Sequence, residues 1–193
     1  MHLGLTGGMG CGKSTAAGMF ARHGFELLDS DAIVRTVLMG DPGTIAAIRE
    51  RFGPEALTES GNVDRSKLAR LVFSDDASLQ WLEALLHPRV IECWDTAFAS
   101  GAGRSWVVEV PLLFEKCLQN WFDLTVCVAS DPAVQLARLE QRGFPPSLAR
   151  QRISKQLPLT QKIKLADFVL LNDGSSDFLR DQVAALVNSL SNL

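Results

Sequence analysis

Short apolar runs alternate with stretches of helical period along the chain. "HLGLT" (residues 2–6), "FELLD" (25–29), "SWVVEV" (105–110), "LTVCVA" (124–129) and "DFVLLN" (167–172) each read as a buried strand. Near-continuous apolar strands are what a parallel sheet covered on both faces requires. A helix is expected from Lys13 to His23. "PAVQLARLEQR" and "SDFLRDQVAALVNSL" read as further helices, and in the second Phe178, Leu179, Val183, Leu186, Val187 and Leu190 form one apolar stripe. The alternation predicts an α/β fold with five parallel strands.

The middle of the chain breaks that rhythm. From roughly residue 42 to 100 the pattern offers helices and no convincing strand, with turn residues in "GPEALTESGNV". Pro88 in "LLHPRV" predicts a break or kink. The segment reads as a helical lobe inserted between the second and third strands. A shorter excursion is expected from about Arg142 to Gln156, where "GFPP" interrupts the period and Arg142, Arg150 and Arg152 make a candidate lid. In a parallel sheet, ligands sit outside the carboxyl ends of the strands. The segments after strands one, two and three, namely the glycine-rich stretch, "DSD" and "VPLLFE", are therefore expected to be neighbours.

Composition narrows the function classes. The 193 residues are 47% hydrophobic and 21% charged, enough apolar mass for a core. A net charge of −3 argues against nucleic acid as the main partner and leaves room for a local basic cleft. Cysteines at 11, 93, 117 and 127 have no metal-site spacing and fit free thiols in a reducing cytoplasm. "MHLGLTGG" lacks the basic and apolar regions of a signal peptide, and no apolar run is long enough to span a membrane, so neither is expected.

"LTGGMGCGKST" (5–15) carries the chemistry. Gly7, Gly12, Lys13 and Ser14 fit G-x-x-x-x-G-K-[ST], the phosphate-binding loop pattern. Glycine lets the backbone curl until its N–H groups point inward, and the following helix adds its positive end. Lys13 is expected on the β- and γ-phosphates, Ser14 on Mg²⁺, and Thr15 on phosphate. "LLDSDAIVR" offers Asp29 and Asp31. Either one caps the next helix or takes a proton from an acceptor hydroxyl, and Asp31 is the choice for the base. Glu109 and Glu115 in "WVVEVPLLFE" are candidates to hold the metal, with a solvated Glu115 the alternative. Arg138 and Arg142 are four apart, either clamping a transferring phosphoryl group or compensating a helix dipole. His87 has no role that sequence logic assigns. "LLNDGS" (170–175) suits a base contact or an ordinary strand-to-helix turn.

Taken in order, "LTGGMGCGKST", "LLDSDAIVR", "LLHPRV", "VPLLFE", "QLARLEQR", "RISKQLPLTQK" and "ADFVLLNDGS" resemble the dephospho-CoA kinase family over about residues 3 to 175. The resemblance implies a three-layer α/β/α P-loop core, a helical CoA-binding lobe and a lid. It implies ATP-dependent phosphorylation of the ribose 3′-hydroxyl of dephospho-CoA, the final step of coenzyme A biosynthesis, with Mg²⁺. Carried onto this chain, it makes Asp31 the base and Lys13 and Arg142 the groups that neutralise the phosphoryl. It puts Gly8, Met9, Gly10, Cys11, Gly12, Ser14, Thr15, Arg138, Asn172 and Gly174 on the ATP side. His87, Arg89 and Leu112 fall on the acceptor side, and Ser14 and Glu109 at the metal. Met9 and Cys11 stand where the family often has a β-branched residue and a serine. The implied partners are ATP and dephospho-CoA, with no nucleic acid or membrane, in a monomer or weak homo-oligomer. The rival readings are another small-molecule P-loop kinase, a nucleotide switch and a pure ATP-binding module. The chain has no N-K-x-D guanine signature.

Overall fold

A computed structural model describes residues 1–73 and 75–191. Its strands are β1 (His2–Gly7), β2 (Glu26–Asp29), β3 (Trp106–Glu109), β4 (Leu124–Ala129) and β5 (Phe168–Leu171). Its α-helices are α1 (Lys13–Arg22), α2 (Ser30–Thr36), α3 (Pro42–Phe52), α4 (Arg65–Phe73), α5 (Asp76–Ser100), α6 (Pro132–Gln141), α7 (Pro146–Ser154), α8 (Leu159–Leu165) and α9 (Ser176–Leu190). The chain divides into two compact units, Met1–Leu28 with Gly103–Leu193, and Asp29–Ala102.

The first unit is built on the sheet, whose order is β2-β3-β1-β4-β5. β1 runs parallel to β3, with Leu5 opposite Glu109, and parallel to β4, which pairs in parallel with β5. Apolar runs at all five expected positions became strands; the central β1, β3 and β4 are buried almost throughout, and the edge strands β2 and β5 are partly exposed. Leu3, Leu5, Phe20, Val107, Val126 and Val128 are fully buried in one core with Leu179 and Val183 of α9. Each such side chain contributes about 1.5–3 kcal/mol on leaving water. Phe178 departs from the expected stripe and is 47% exposed. Leu179, Val183, Leu186 and Leu190 already complete a line at helical spacing, and the residue before Leu179 lies about 100° off it.

The strand order creates a switch point. The connection after β1 leads to β2 on one side, and the connection after β3 crosses to β4 on the other. Backbone ends therefore diverge at the carboxyl ends of β1 and β3, where α/β sheets bind ligands. The glycine-rich stretch leaves β1 at that point.

The second unit is helical, with one isolated antiparallel bridge between Leu57 and Val63. Of the break or kink expected at Pro88, the break does not occur: α5 runs 25 residues through it. Pro88 removes one N–H and orphans the carbonyl of Ala84, and both residues are exposed, so the interruption lies on the open side of the helix. Leu82, Leu86, Val90 and Trp94 hold the buried face of the helix across the interruption.

Candidate active site

The loop from Gly7 to Gly12 turns because three of its glycines take positive φ, at +147° for Gly7, +82° for Gly10 and +91° for Gly12. At Gly12 the need is double. The left-handed backbone disfavours a side chain, and a Cβ there would overlap the Asn172 amide nitrogen. Asp29, Asp41, Asp75, Asp131 and Ser175 cap α2, α3, α5, α6 and α9 with side-chain oxygens. α1 has no side-chain cap and no acid in its first turn. Its leading N–H groups and dipole remain available to an anion.

The loop is held from behind. Asn172 Nδ2 donates to the carbonyl of Cys11 at 2.8 Å. Arg138 donates to the Asn172 carbonyl at 2.9 Å, to Ser130 Oγ at 3.1 Å and to the Gly10 carbonyl at 3.4 Å. Ser130 Oγ donates to the Asn172 carbonyl at 2.8 Å, and Gln135 Nε2 to the Ser130 carbonyl at 2.9 Å. Met9 N–H donates to Gln156 Oε1 at 3.3 Å. Cys11 is fully buried, and burial pushes its thiol up.

The chemistry-bearing groups lie on the other side of this frame. Lys13 Nζ donates to the carbonyls of Gly7 and Gly8 at 3.3 and 3.1 Å. Ser14 Oγ donates to Glu109 Oε1 at 3.2 Å. The loop after β1 and the end of β3 thus meet, as the topology predicts. Oxygen donors only, a hydroxyl and a carboxylate, suit a hard divalent cation that keeps waters and substrate phosphates as its other ligands. Among the described residues, no group of three or more His, Cys, Asp or Glu is placed to hold a metal unaided.

Glu115 is not solvated. Its Oε1 lies 2.8 Å from Nζ of the fully buried Lys162 and accepts the Leu157 N–H at 2.9 Å. Leu112 is half-buried in the same loop. Arg142 closes α6 as its C-cap and is exposed. Gly174 lies in the exposed turn between β5 and α9.

In the helical unit, Asp29 Oδ1 accepts the Ala32 N–H at 2.9 Å, which gives Asp29 the capping role. Asp31 is exposed in the first turn of α2. His87 and Arg89 lie two apart on α5, both half-buried. Arg89 is 2.8 Å from Asp41 Oδ2 and also donates to Thr44 Oγ1. The Thr44 N–H and hydroxyl, with Arg89 beside them, hold the Asp41 carboxyl below its usual value. Arg89 lines an open cleft of about 960 Å³ with Leu38, Pro88 and Cys93.

The dephospho-CoA kinase (CoaE) family model matches residues 1–177. The chain belongs to the dephospho-CoA kinase family. A dephospho-CoA kinase of Thermosynechococcus vestitus is 40% identical over 185 residues, covering 95% of this chain and 91% of the relative. A crystal structure from Thermus thermophilus superposes with a TM-score of 0.87 at 33% identity, covering 98% of this chain and 97% of the other. A dephospho-CoA kinase structure from Campylobacter jejuni, 23% identical, shares the fold with a TM-score of 0.74, covering 99% and 97%.

In this family member, three residues that frame the loop, Ser130, Gln135 and Gln156, were not singled out from sequence, nor was Lys162, which holds the Pro111 carbonyl after β3. A signal existed for Ser130. Ala129 pairs with Leu171, so the next residues, Ser130 and Asn172, leave adjacent strand ends together. Gln135 is a polar residue one helical turn before Leu139 on the buried face of α6. Gln156 and Lys162 gave no comparable signal, because their partners are more than forty residues away.

Proposed function

We propose that the protein transfers the γ-phosphoryl group of ATP to the ribose 3′-hydroxyl of dephospho-CoA, giving CoA and ADP. The observation that carries the phosphoryl-transfer half is the Ser14–Glu109 contact at the mouth of the uncapped α1 helix. The family match supports the acceptor.

In this reading the backbone of Gly8 to Thr15 receives the ATP phosphates, framed by Arg138 and Asn172, with Gly174 toward the base. Ser14 and Glu109 hold Mg²⁺, which when bound offsets phosphate charge. Lys13 and Arg142 neutralise charge on the transferring group. Asp31 orients the 3′-hydroxyl and accepts its proton as O3′ bonds to Pγ and the bond from Pγ to the bridging oxygen breaks. His87, Arg89 and Leu112 bind the acceptor. Residues of about 42–100 act as the CoA-binding lobe, and about 142–156 as a lid that excludes water from the transfer. Among the described residues no helix is long and apolar enough to cross a membrane. The reading puts the enzyme in the cytoplasm as a monomer or weak homo-oligomer.

The test is ADP release from Mg²⁺·ATP with dephospho-CoA as acceptor, beside adenosine, AMP and shikimate. Strong dephospho-CoA-dependent turnover with CoA as product supports the reading. ATP binding without stimulation by dephospho-CoA would leave a P-loop kinase of different acceptor.

A further inference from the structure

A lysine with no exposed side-chain surface stands just outside the phosphate site. Lys162 Nζ donates to the Pro111 carbonyl at 2.7 Å and lies 2.8 Å from Glu115 Oε1, its side chain 0% exposed. The same carbonyl accepts the Thr6 hydroxyl at 3.3 Å, which ties it to the last turn of β1 before the glycine loop. The same Glu115 oxygen accepts the Leu157 N–H at 2.9 Å. The neighbouring Gln156 accepts the Met9 N–H of the glycine loop at 3.3 Å. The ammonium therefore holds the loop after β3 at two points, and Glu115 carries that hold to the joint that follows α7, which also touches the phosphate loop.

Stability does not explain this pair. Desolvating two full charges costs about as much as their attraction returns, and apolar replacements of buried pairs are often neutral or stabilising. Here the cost is higher than usual, because Glu115 Oε2 is buried with no hydrogen-bond partner among the described residues. What the pair does supply is position. Pro111 is two residues after Glu109, whose carboxylate takes the Ser14 hydroxyl. Without Lys162, the Thr6 hydroxyl is the remaining side-chain donor on the Pro111 carbonyl among the described residues.

We propose that Lys162 and Glu115 are a positioning pair for phosphoryl transfer. They fix the strand-end loop that carries Glu109 and Leu112, and they pin the Gln156–Leu157 joint against the glycine loop. The pair touches neither phosphate nor acceptor and acts through the groups that do. The proposal rests on the phosphoryl-transfer reading above.

The experiment compares wild type with the double variant Lys162→Met/Glu115→Gln. This variant removes both charges, keeps the volumes and leaves an acceptor for the Leu157 N–H. Expected are a melting temperature close to wild type, a kcat lowered by about tenfold to a hundredfold, and a higher Mg²⁺ concentration for half-maximal rate. ATP affinity measured without acceptor should change less than about threefold, because the backbone cradle stays. Amide exchange at Met9 and Leu157 should accelerate. A folded double variant with wild-type kcat, Mg²⁺ dependence and exchange would overturn the proposal. Should the double variant not fold, Lys162→Gln/Glu115→Gln decides, because it too leaves no buried charge unpaired: lower kcat at unchanged ATP affinity supports positioning, and wild-type kcat overturns it. If wild type itself shows no dephospho-CoA-stimulated turnover, the function reading fails separately, and the exchange rates at Met9 and Leu157 decide the pair.

Discussion

Lys13 lies over the carbonyls of Gly7 and Gly8 with its ammonium at 3.3 and 3.1 Å, next to N–H groups that no side chain caps. An ammonium preorganised at that point is worth most when negative charge shifts during transfer. Lys13→Ala should therefore cost about 3 kcal/mol of transition-state stabilisation, a loss on the order of a hundredfold in kcat/KM. Steady-state kinetics check this, and a rate within about threefold of wild type would remove Lys13 from the transfer. Asp31 makes a different demand. It is exposed, and Asp29 rather than Asp31 caps α2. Asp31→Asn should thus leave helix and ATP binding intact while turnover falls by about 10²–10⁴, the range for loss of a general base. Isothermal titration with ATP beside turnover separates the two effects; unchanged turnover removes the base assignment. The split between Asp29 and Asp31 was legible only as a choice, since both residue types cap helices. The loop was legible outright, because a glycine needed for positive φ has few substitutes. Its bracing by Gln156 was not, because an amide that accepts an N–H 147 residues away leaves no local pattern.

Elements are governed by their ends. The turn after β3 closes with bonds from Leu118 N–H to the Leu113 carbonyl and from Cys117 N–H to the Phe114 carbonyl, at 2.9 and 3.2 Å. This is the paired pattern of a Schellman cap, and Cys117 occupies its left-handed position at φ +53°. Glycine belongs there, and Cys117→Gly should raise unfolding free energy by about 0.5–1 kcal/mol, the relief of a strained φ less the added chain entropy. Denaturant titration tests it; a loss of stability would mean the cysteine side chain contributes more than its backbone costs. The helical unit depends on carboxylate caps instead. Asp41, Asp64 and Asp75 are all held below their usual value of 3.8, chiefly by the Thr44 N–H, the Lys67 N–H and the Ser78 hydroxyl. A depressed folded-state value means these caps stabilise fully above the unfolded value and lose that contribution as pH falls through the folded one. Acidification below about pH 4 should weaken residues 29–102, and asparagine at all three positions should flatten the dependence in that window. Circular-dichroism melts across the window decide it, an equally steep dependence in the triple variant being the contrary result. Pro88 marks where element reading reached its limit. A proline is a local signal for a break, whereas the apolar line Leu82, Leu86, Val90 and Trp94 is a tertiary reason to continue.

At the scale of the whole molecule, the proposed function gives two chemically different ligands to two differently built units. The sheet unit supplies backbone N–H groups, Lys13 and the Ser14–Glu109 pair, the equipment for phosphates. The helical unit supplies Arg89, anchored on Asp41, and a cleft of about 960 Å³, large enough for part of an extended cofactor. The acceptor carries pantetheine as well as a nucleotide, so it needs apolar walls as well as cations. The domain reading consequently predicts separable protection in amide exchange. Mg²⁺·ATP alone should slow exchange at residues 8–15 and around 172–174, where the proposed site brings backbone to phosphate and base. Dephospho-CoA alone should slow exchange within residues 38–97, the span of the cleft lining, and leave the glycine loop near its free rate. Saturating either ligand at about a hundred times its Kd also stabilises by about 2.7 kcal/mol, which a thermal melt reads independently. If dephospho-CoA protected only the glycine loop, the helical unit would not be its lobe. The cleft beside Arg89 would then need another occupant, while the phosphate site, resting on α1 and its loop, would stand as described.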